Sequence, residues 1–334
     1  MDLLNEIVKE IGSDYAKIAS DKESTETYID TGSYVFNGLV SGSIFGGVSS
    51  SRITAIAGET STGKTFFSLA VVKNFLDNNP NGYVLYFDTE SAVNRELLES
   101  RNIDTKRVGH IEVVTVEEFR NKALKALDIY LDKPTEERTP CLFVLDSLGM
   151  LSTEKEIKDA LEDKNVRDMT KSQLVKGAFR MLTLKLGQAN VPLIVTNHTY
   201  DVIGAYVPTK EMGGGSGLKY AASTIIYLSK GKEKDGTEVV GNIIKAKTVK
   251  SRLSKENKDV KIRLFYDERG LDKYFGLLDL AEKYEIVKKV GNRYEIKGKK
   301  VYAKEVYSNP EKYFDDEIMQ ALDEASKKEF SYGE

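Results

Sequence analysis

The octapeptide GETSTGKT at 58–65 decides how the rest of the chain is read. It satisfies the pattern G-x-x-x-x-G-K-[ST] at every defined position: Gly58, Gly63, Lys64 and Thr65, with Glu59, Thr60, Ser61 and Thr62 between them. The glycines let backbone N–H groups turn inward around phosphate oxygens, the lysine brings a point charge to β- and γ-phosphates, and the threonine hydroxyl suits Mg²⁺. An apolar run at 53–57 precedes the motif and an apolar-periodic stretch at 65–76 follows it. Strand, glycine loop and helix in that order aim the positive end of a helix at the anion, which is the context the motif requires.

Working outward, strand-sized apolar runs recur at 83–87, 113–116, 141–145, 191–196 and 224–228. Stretches of helical spacing at 116–131 and 175–188 lie between them. This alternation predicts βαβ units and a mainly parallel sheet, covered on both faces because its strands are almost continuously apolar. Ligands of such sheets sit beyond the carboxyl ends of the strands. Three of those ends are polar. CLFVLD closes on Asp146, the Walker B form, where a carboxylate beside a phosphate loop holds the Mg²⁺ shell directly or through water. YVLYFDTE carries Asp88 and Glu90; Glu90 there either activates an attacking water or belongs to a surface acidic pair. VPLIVTNH ends on Asn197 and His198, and the histidine either reads a γ-phosphate or is satisfied by backbone. The residues alone leave both pairs of readings open.

Leu3, Leu4, Ile7, Val8 and Ile11 recur at helical spacing, so an amphipathic helix opens the chain. Its apolar face packs either on its own core or on a neighbouring subunit. Residues 21–35 read as a polar linker and SGSIFGGVSSS at 41–51 as turns. The strongly basic 243–263 predicts further strands or a hairpin. After it come a helix at 276–284, the strand-like EIVKKVGNRYEIKGKKV and a charged helix at 315–328. The expected organisation is an N-terminal helix and linker (1–30), a core (31–271) and a small C-terminal domain (272–334).

Bulk properties narrow the classes. Two histidines and one cysteine argue against a zinc site, and Cys141, alone in an apolar run, reads as a buried thiol in a reducing, cytoplasmic compartment. No apolar stretch approaches the ~18 residues of a membrane helix. The N-terminus MDLLNEIVKEIG lacks the basic start and apolar core of a signal peptide. A net charge of −3 excludes a uniformly basic nucleic-acid binder but not a local basic groove.

The phosphate loop is followed in order by VLYFDTE, CLFVLDSLG, PLIVTNHTY, MGGGSGLKYAAS and IIKAKTVKSR. This set resembles the RecA recombinase core. SLGMLSTEKEIKDALEDKNVRDMTKS, VTNHTYDV, EKDGTEVVGN and FGLLDLAE make it most similar to UvsX-type recombinases of T4-like phages, over residues 30–285 and more weakly beyond.

The resemblance implies an α/β fold: a RecA-like P-loop NTPase core with a twisted, mainly parallel sheet flanked by helices, plus the N-terminal helix and a small C-terminal α+β domain. It implies an ATP- and Mg²⁺-dependent recombinase that forms filaments on single-stranded DNA and exchanges strands with a homologous duplex. A RecA-core hexameric helicase is the alternative. It further implies a loader or mediator and a single-strand-binding protein as partners, and the bacterial cytoplasm as location. By position, Glu90 matches the glutamate that activates water, and His198 matches the γ-phosphate sensor. Asn94 falls near an acidic adenine contact. Lys245 and Lys247 match a lysine pair that reaches into a neighbour's ATP site; by charge pattern alone they are a solvated basic strand. Two segments match DNA-binding loops. One spans 152–171, bears Arg167 and Lys171 and leads to Arg180; charge pattern alone makes it a solvated helix face. The other spans 199–217 and contains Gly213, Gly214 and Gly215; alone it is a flexible loop.

Overall fold

The computed structural model describes residues 2–11, 27–163, 170–202, 210–235, 238–267 and 269–333. Helix α1 (Asp2–Glu10) opens the chain, with Leu3, Leu4, Ile7 and Ile11 exposed. β1 (Tyr28–Ile29) precedes α2 (Tyr34–Ser41), and β2 (Val48–Ser49) returns to pair with β1. The core then alternates: β3 (Ile53–Gly58), α3 (Lys64–Asn78), β4 (Tyr83–Asp88), α4 (Arg95–Ser100), β5 (Val108–Glu112), α5 (Val116–Leu131), β6 (Cys141–Asp146), α6 (Glu154–Leu161), α7 (Lys171–Ala189) and β7 (Leu193–Asp201). β8 (Lys210–Met212), α8 (Ser216–Ala221), β9 (Thr224–Asp235), β10 (Glu238–Ser251) and β11 (Asp259–Phe265) complete it.

Among the described residues these strands form one sheet in the order β11-β10-β9-β3-β7-β6-β4-β5, with β8 added beside β7. β9, β3, β7, β6, β4 and β5 run parallel, and β10 and β11 extend the sheet as an antiparallel hairpin. Two apolar clusters cover the faces. One gathers Val72 of α3, Phe36 of α2 and Ile262 of β11; the other gathers Phe119 of α5 and Phe179 of α7. All six residues of β3 and of β6 are buried, as near-continuous apolar runs require. The expected mainly parallel sheet between helices is present.

The C-terminal segment carries α9 (Leu277–Lys283), the antiparallel β12 (Lys288–Val290), β13 (Arg293–Ile296) and β14 (Lys299–Val301), then α10 (Ala303–Ser308), α11 (Pro310–Tyr313) and α12 (Asp316–Phe330). α12 lies against α2. Asp323 Oδ1 accepts the Ser43 hydroxyl at 2.5 Å and the Ile44 N–H at 2.9 Å, and Ser326 Oγ donates to the Gly42 carbonyl at 2.8 Å. A Cβ at Gly38 would sit 2.4 Å from Ser326 Oγ, so a side chain there would displace the hydroxyl from its bond to Gly42.

Three expectations need correction. The strand placed at 113–116 lies at Val108–Glu112; this edge strand is mostly exposed and so lacks the apolar run, whereas Val113 and Val116 are buried beneath the start of α5. The 21–35 linker, where described, contains β1 and the start of α2. Its polar residues are internal partners, with Thr31 N–H donating to Asn37 Oδ1 at 2.9 Å and Asn37 Nδ2 to Asp30 at 2.9 Å. The strand read at 191–196 runs on to Asp201, because β8 pairs with its far end. Asn197 and His198 therefore lie inside a strand. No helix among the described residues is long and apolar enough to cross a membrane.

Candidate functional site

The carboxyl ends of β3, β4 and β6 converge beside the middle of β7, with Gly58 in register with His198 and Asp88 with Asp146. From β3 the chain turns through Ser61 at φ 61° and Gly63 at φ 90° into α3. Left-handed residues of this kind direct successive N–H groups to one side and make an anion-binding concavity. A Cβ at Gly58 would lie 2.6 Å from Thr62 Oγ1 and 2.8 Å from the Leu228 carbonyl, so the loop closes only on glycine there. Lys64 is buried, and its ammonium donates to the carbonyls of Gly58 at 3.0 Å and Glu59 at 2.9 Å. Burial lowers its pKa, while Glu90 and Asp146 pull the other way. Thr60, Ser61, Gly63, Lys64 and Thr65 border a cavity of ≈ 370 Å³ whose lining also includes Glu90, Asp146 and His198.

Asp146 is held from three sides. Its Oδ2 accepts Thr65 Oγ1 at 2.8 Å and the Tyr86 hydroxyl at 2.7 Å, and its Oδ1 accepts Thr196 Oγ1. Burial, then the charge of Asp146, pushes the Tyr86 hydroxyl far above its usual pKa, so it stays a donor. Thr65 and Asp146 thus present two hard oxygens side by side, a donor set that suits Mg²⁺.

Glu90 Oε1 accepts the Ser147 hydroxyl at 2.7 Å and faces His198 Nε2 at 3.2 Å. Asp88 fixes the turn that carries Glu90: its Oδ1 accepts the Glu90 N–H at 3.0 Å, and its Oδ2 takes the Val93 N–H at 3.1 Å and contacts His110 Nε2 at 3.0 Å. Burial raises the Asp88 pKa, but these hydrogen bonds outweigh it and hold the carboxyl below its usual range. One carboxylate is therefore structural, and the other borders the cavity. Asn197, fully buried beside His198, donates to the Gly213 carbonyl at 2.9 Å and accepts the His198 N–H at 2.8 Å; the Gly213 N–H returns to the His198 carbonyl at 3.0 Å.

A family model described as the RecA N-terminal domain matches residues 2–272. This chain belongs to the RecA family. Its relatives include the recombination and repair protein of enterobacteria phage T4, 33% identical over 83% of this chain and 68% of that protein. Protein RecA of Francisella philomiragia subsp. philomiragia is 29% identical over 77% of this chain and 68% of its own length. Protein RecA of Clavibacter michiganensis subsp. michiganensis is 27% identical over 88% of this chain and 79% of its own length. The chain is a RecA-type recombinase, similar to the phage protein as its motifs led us to expect, and the helicase alternative falls away.

The RecA-type core places the remaining candidates as follows. Lys245 and Lys247 are exposed on one face of β10, where Lys245 meets Asp259 at 3.2 Å. Ile244 faces the other way, to within 3.2 Å of where a Gly63 Cβ would be. The lysine pair therefore points away from its own chain's cavity. Asn94 caps α4 by accepting the Leu97 N–H at 2.9 Å and is not among the cavity's lining residues. In the first loop segment, 154–161 forms the exposed α6, as a solvated helix face would. Lys171 begins α7 and Arg180 is exposed on it, while Arg167 lies outside the described residues, as do 203–209 of the second segment. The second segment meets α7 just beyond the first: a Cβ at Gly215 would lie 2.8 Å from Ser172 Oγ, and one at Gly217 would lie 2.7 Å from the Lys176 backbone. Gly214 and Gly215 take φ 83° and 73°. Lys210 of β8 forms an ion pair with Glu59 of the phosphate loop.

The motifs missed Lys230, Asn242 and Tyr266, which border the cavity from β9, β10 and the end of β11. The only hint was the position of Asn242 beside the basic stretch 243–263.

Proposed function

We propose that the chain is a DNA-dependent ATPase that assembles on single-stranded DNA and pairs it with a homologous duplex. The observation that carries this reading is the Asn197 bridge, which ties the residue beside the cavity to the glycine run of the second loop. Lys64 and the loop N–H groups at 58–65 bind the triphosphate, and Thr65 and Asp146 would hold Mg²⁺. When bound, the ion neutralises charge on the β- and γ-phosphate oxygens. Glu90 takes a proton from the attacking water as its oxygen bonds to the γ-phosphorus and the bond to the β–γ bridging oxygen breaks, giving ADP and phosphate.

His198 hydrogen-bonds the γ-phosphate, and its strand transmits that state through Asn197 to Gly213, so ATP orders the 199–217 loop against DNA phosphates. Lys171, Arg180 and Gly213–Gly215 form the DNA surface, and Arg167 also binds DNA. Lys245 and Lys247 complete a neighbouring copy's site in trans, and α1 docks on a neighbour through its exposed apolar face. Recognition then comes from strand pairing, and binding is mostly to phosphates and weakens with salt. The deciding experiment measures ATP hydrolysis with and without single-stranded DNA, alongside electron microscopy for filaments. Hydrolysis that ignores DNA, in a preparation that stays monomeric with ATP, Mg²⁺ and oligonucleotide, would overturn the reading.

A further inference from the structure

β9 and β3 stay paired as far as Gly58 and Leu228, the point where β3 gives way to the phosphate loop. β9 does not stop there. It runs on to Asp235 beside the loop, and Lys230, two residues beyond Leu228, projects on the same strand face as Leu228. Its ammonium lies 3.4 Å from the Thr60 carbonyl, at the outer limit of a hydrogen bond, and the side chain borders the same cavity as Glu90 and Asp146. No carboxylate among the described residues forms an ion pair with it.

Charge shows what such a lysine does. On this cavity wall Lys64 and Lys230 balance Glu90 and Asp146. Without Lys230 the wall would carry net negative charge, and a magnesium–triphosphate complex, itself net negative, would enter against repulsion. The alternation of the strands separates this lysine from the pair on β10. Lys245 is in register with Ser229 and shares the opposite face, so Lys230 serves its own chain's cavity. An exposed ammonium held only by one long contact keeps the freedom to swing a short way onto a phosphate oxygen, at little cost in lost interactions.

We infer that Lys230 is a second polyphosphate-binding cation, supplied in cis from the strand beside the phosphate loop. This rests on the nucleotide-site reading above. The test is equilibrium titration of the full chain with a fluorescent ATP analogue and Mg²⁺ over a range of salt, using Lys230→Gln, Lys230→Met and Lys230→Arg, with thermal melts as a control for folding. Both neutral variants should bind about tenfold more weakly and show a shallower salt dependence, whereas Lys230→Arg should stay close to wild type. A structural role alone would not change the salt slope. Neutral variants that bind within about twofold of wild type with the same slope would overturn the inference. Absence of binding by the wild-type chain would instead bring down the nucleotide-site reading, and this inference with it.

Discussion

The side-chain amide of Asn197 reaches across from β7 to the Gly213 carbonyl, 2.9 Å away, while its oxygen takes the N–H of His198. Both ends of a fully buried carboxamide are thus satisfied, one on the strand beside the phosphate loop and one on the glycine run. With the direct bond from the Gly213 N–H to the His198 carbonyl, this strut holds the glycine run against β7. On the function proposed above, this tie carries a change at His198 to Gly213.

Asn197→Ala should therefore separate two activities. Losing a buried amide bond removes about 1–3 kcal/mol and takes the side-chain partner from the Gly213 carbonyl, so the glycine run should be held to His198 by the Gly213 N–H bond and more loosely than before. Nucleotide affinity without DNA should change little, and stimulation of hydrolysis by single-stranded DNA should fall by about tenfold or more. ATPase rates across a DNA titration measure both. Full stimulation in the variant would remove the strut from the coupling path.

Glu90→Gln keeps the size and one hydrogen-bond acceptor toward Ser147 but cannot take a proton. We expect nucleotide binding to persist and the hydrolysis rate to drop by about 10²–10⁴-fold. Asp88→Asn is the contrasting variant. It should harm both binding and stability, because Asp88 accepts the N–H groups of Glu90 and Val93 and holds the turn. Paired binding and single-turnover measurements distinguish the two carboxylates, and equal losses in both variants would refute the division of roles.

The parts of this site legible in the sequence are those whose residues lie together along the chain. The phosphate loop, and the strands ending at Asp88 and Asp146, could be read because central parallel strands are apolar on both faces and stop abruptly at polar ends. β5 was misplaced to 113–116 because an edge strand needs no such run: His110 and Glu112 are exposed on it. α2 was hidden behind Asp30, Thr31 and Ser33, which look like linker residues until Asn37 is seen to bond Asp30 and Thr31. Lys230 and Tyr266 reach the cavity only through the pairing of β9, β10 and β11. Thr60 and Lys230 are 170 positions apart, and no local spacing reports that they meet.

Glu329 ties the C-terminal helix to two other parts of the chain. It accepts Lys258 Nζ at 2.8 Å, Lys283 Nζ at 2.6 Å and the Tyr284 hydroxyl at 2.8 Å, with its side chain only 11% exposed. Burial raises its pKa, but these donors more than offset that and bring it from 4.5 down to about 2. A depressed folded-state pKa stabilises the fold above the unfolded value, and that stability is lost as the pH falls through the folded one. Glu329→Gln should therefore cost about 2 kcal/mol at neutral pH, lowering Tm by a few degrees, and the gap from wild type should close between about pH 5 and 2. Thermal melts over that range provide the check, and a gap independent of pH would mean that the charge of Glu329 is not what stabilises the contact.

Lys247 provides the sharpest test of a site shared between copies, since it stands on the strand face turned away from its own cavity. Lys247→Ala should still bind nucleotide but hydrolyse it about 10³-fold more slowly, the loss expected when a transition-state cation supplied in trans is removed. Lys64→Ala should be inactive for the opposite reason, having an intact Lys247 and a crippled phosphate loop. In a head-to-tail assembly, mixing the two inactive variants in equal amounts places an intact loop against an intact Lys247 at about a quarter of the junctions. Hydrolysis should reappear in the mixture, in the presence of single-stranded DNA, at about that fraction of the wild-type rate. A lysine acting within its own chain would give no recovery at any mixing ratio, because no single subunit in the mixture holds both groups.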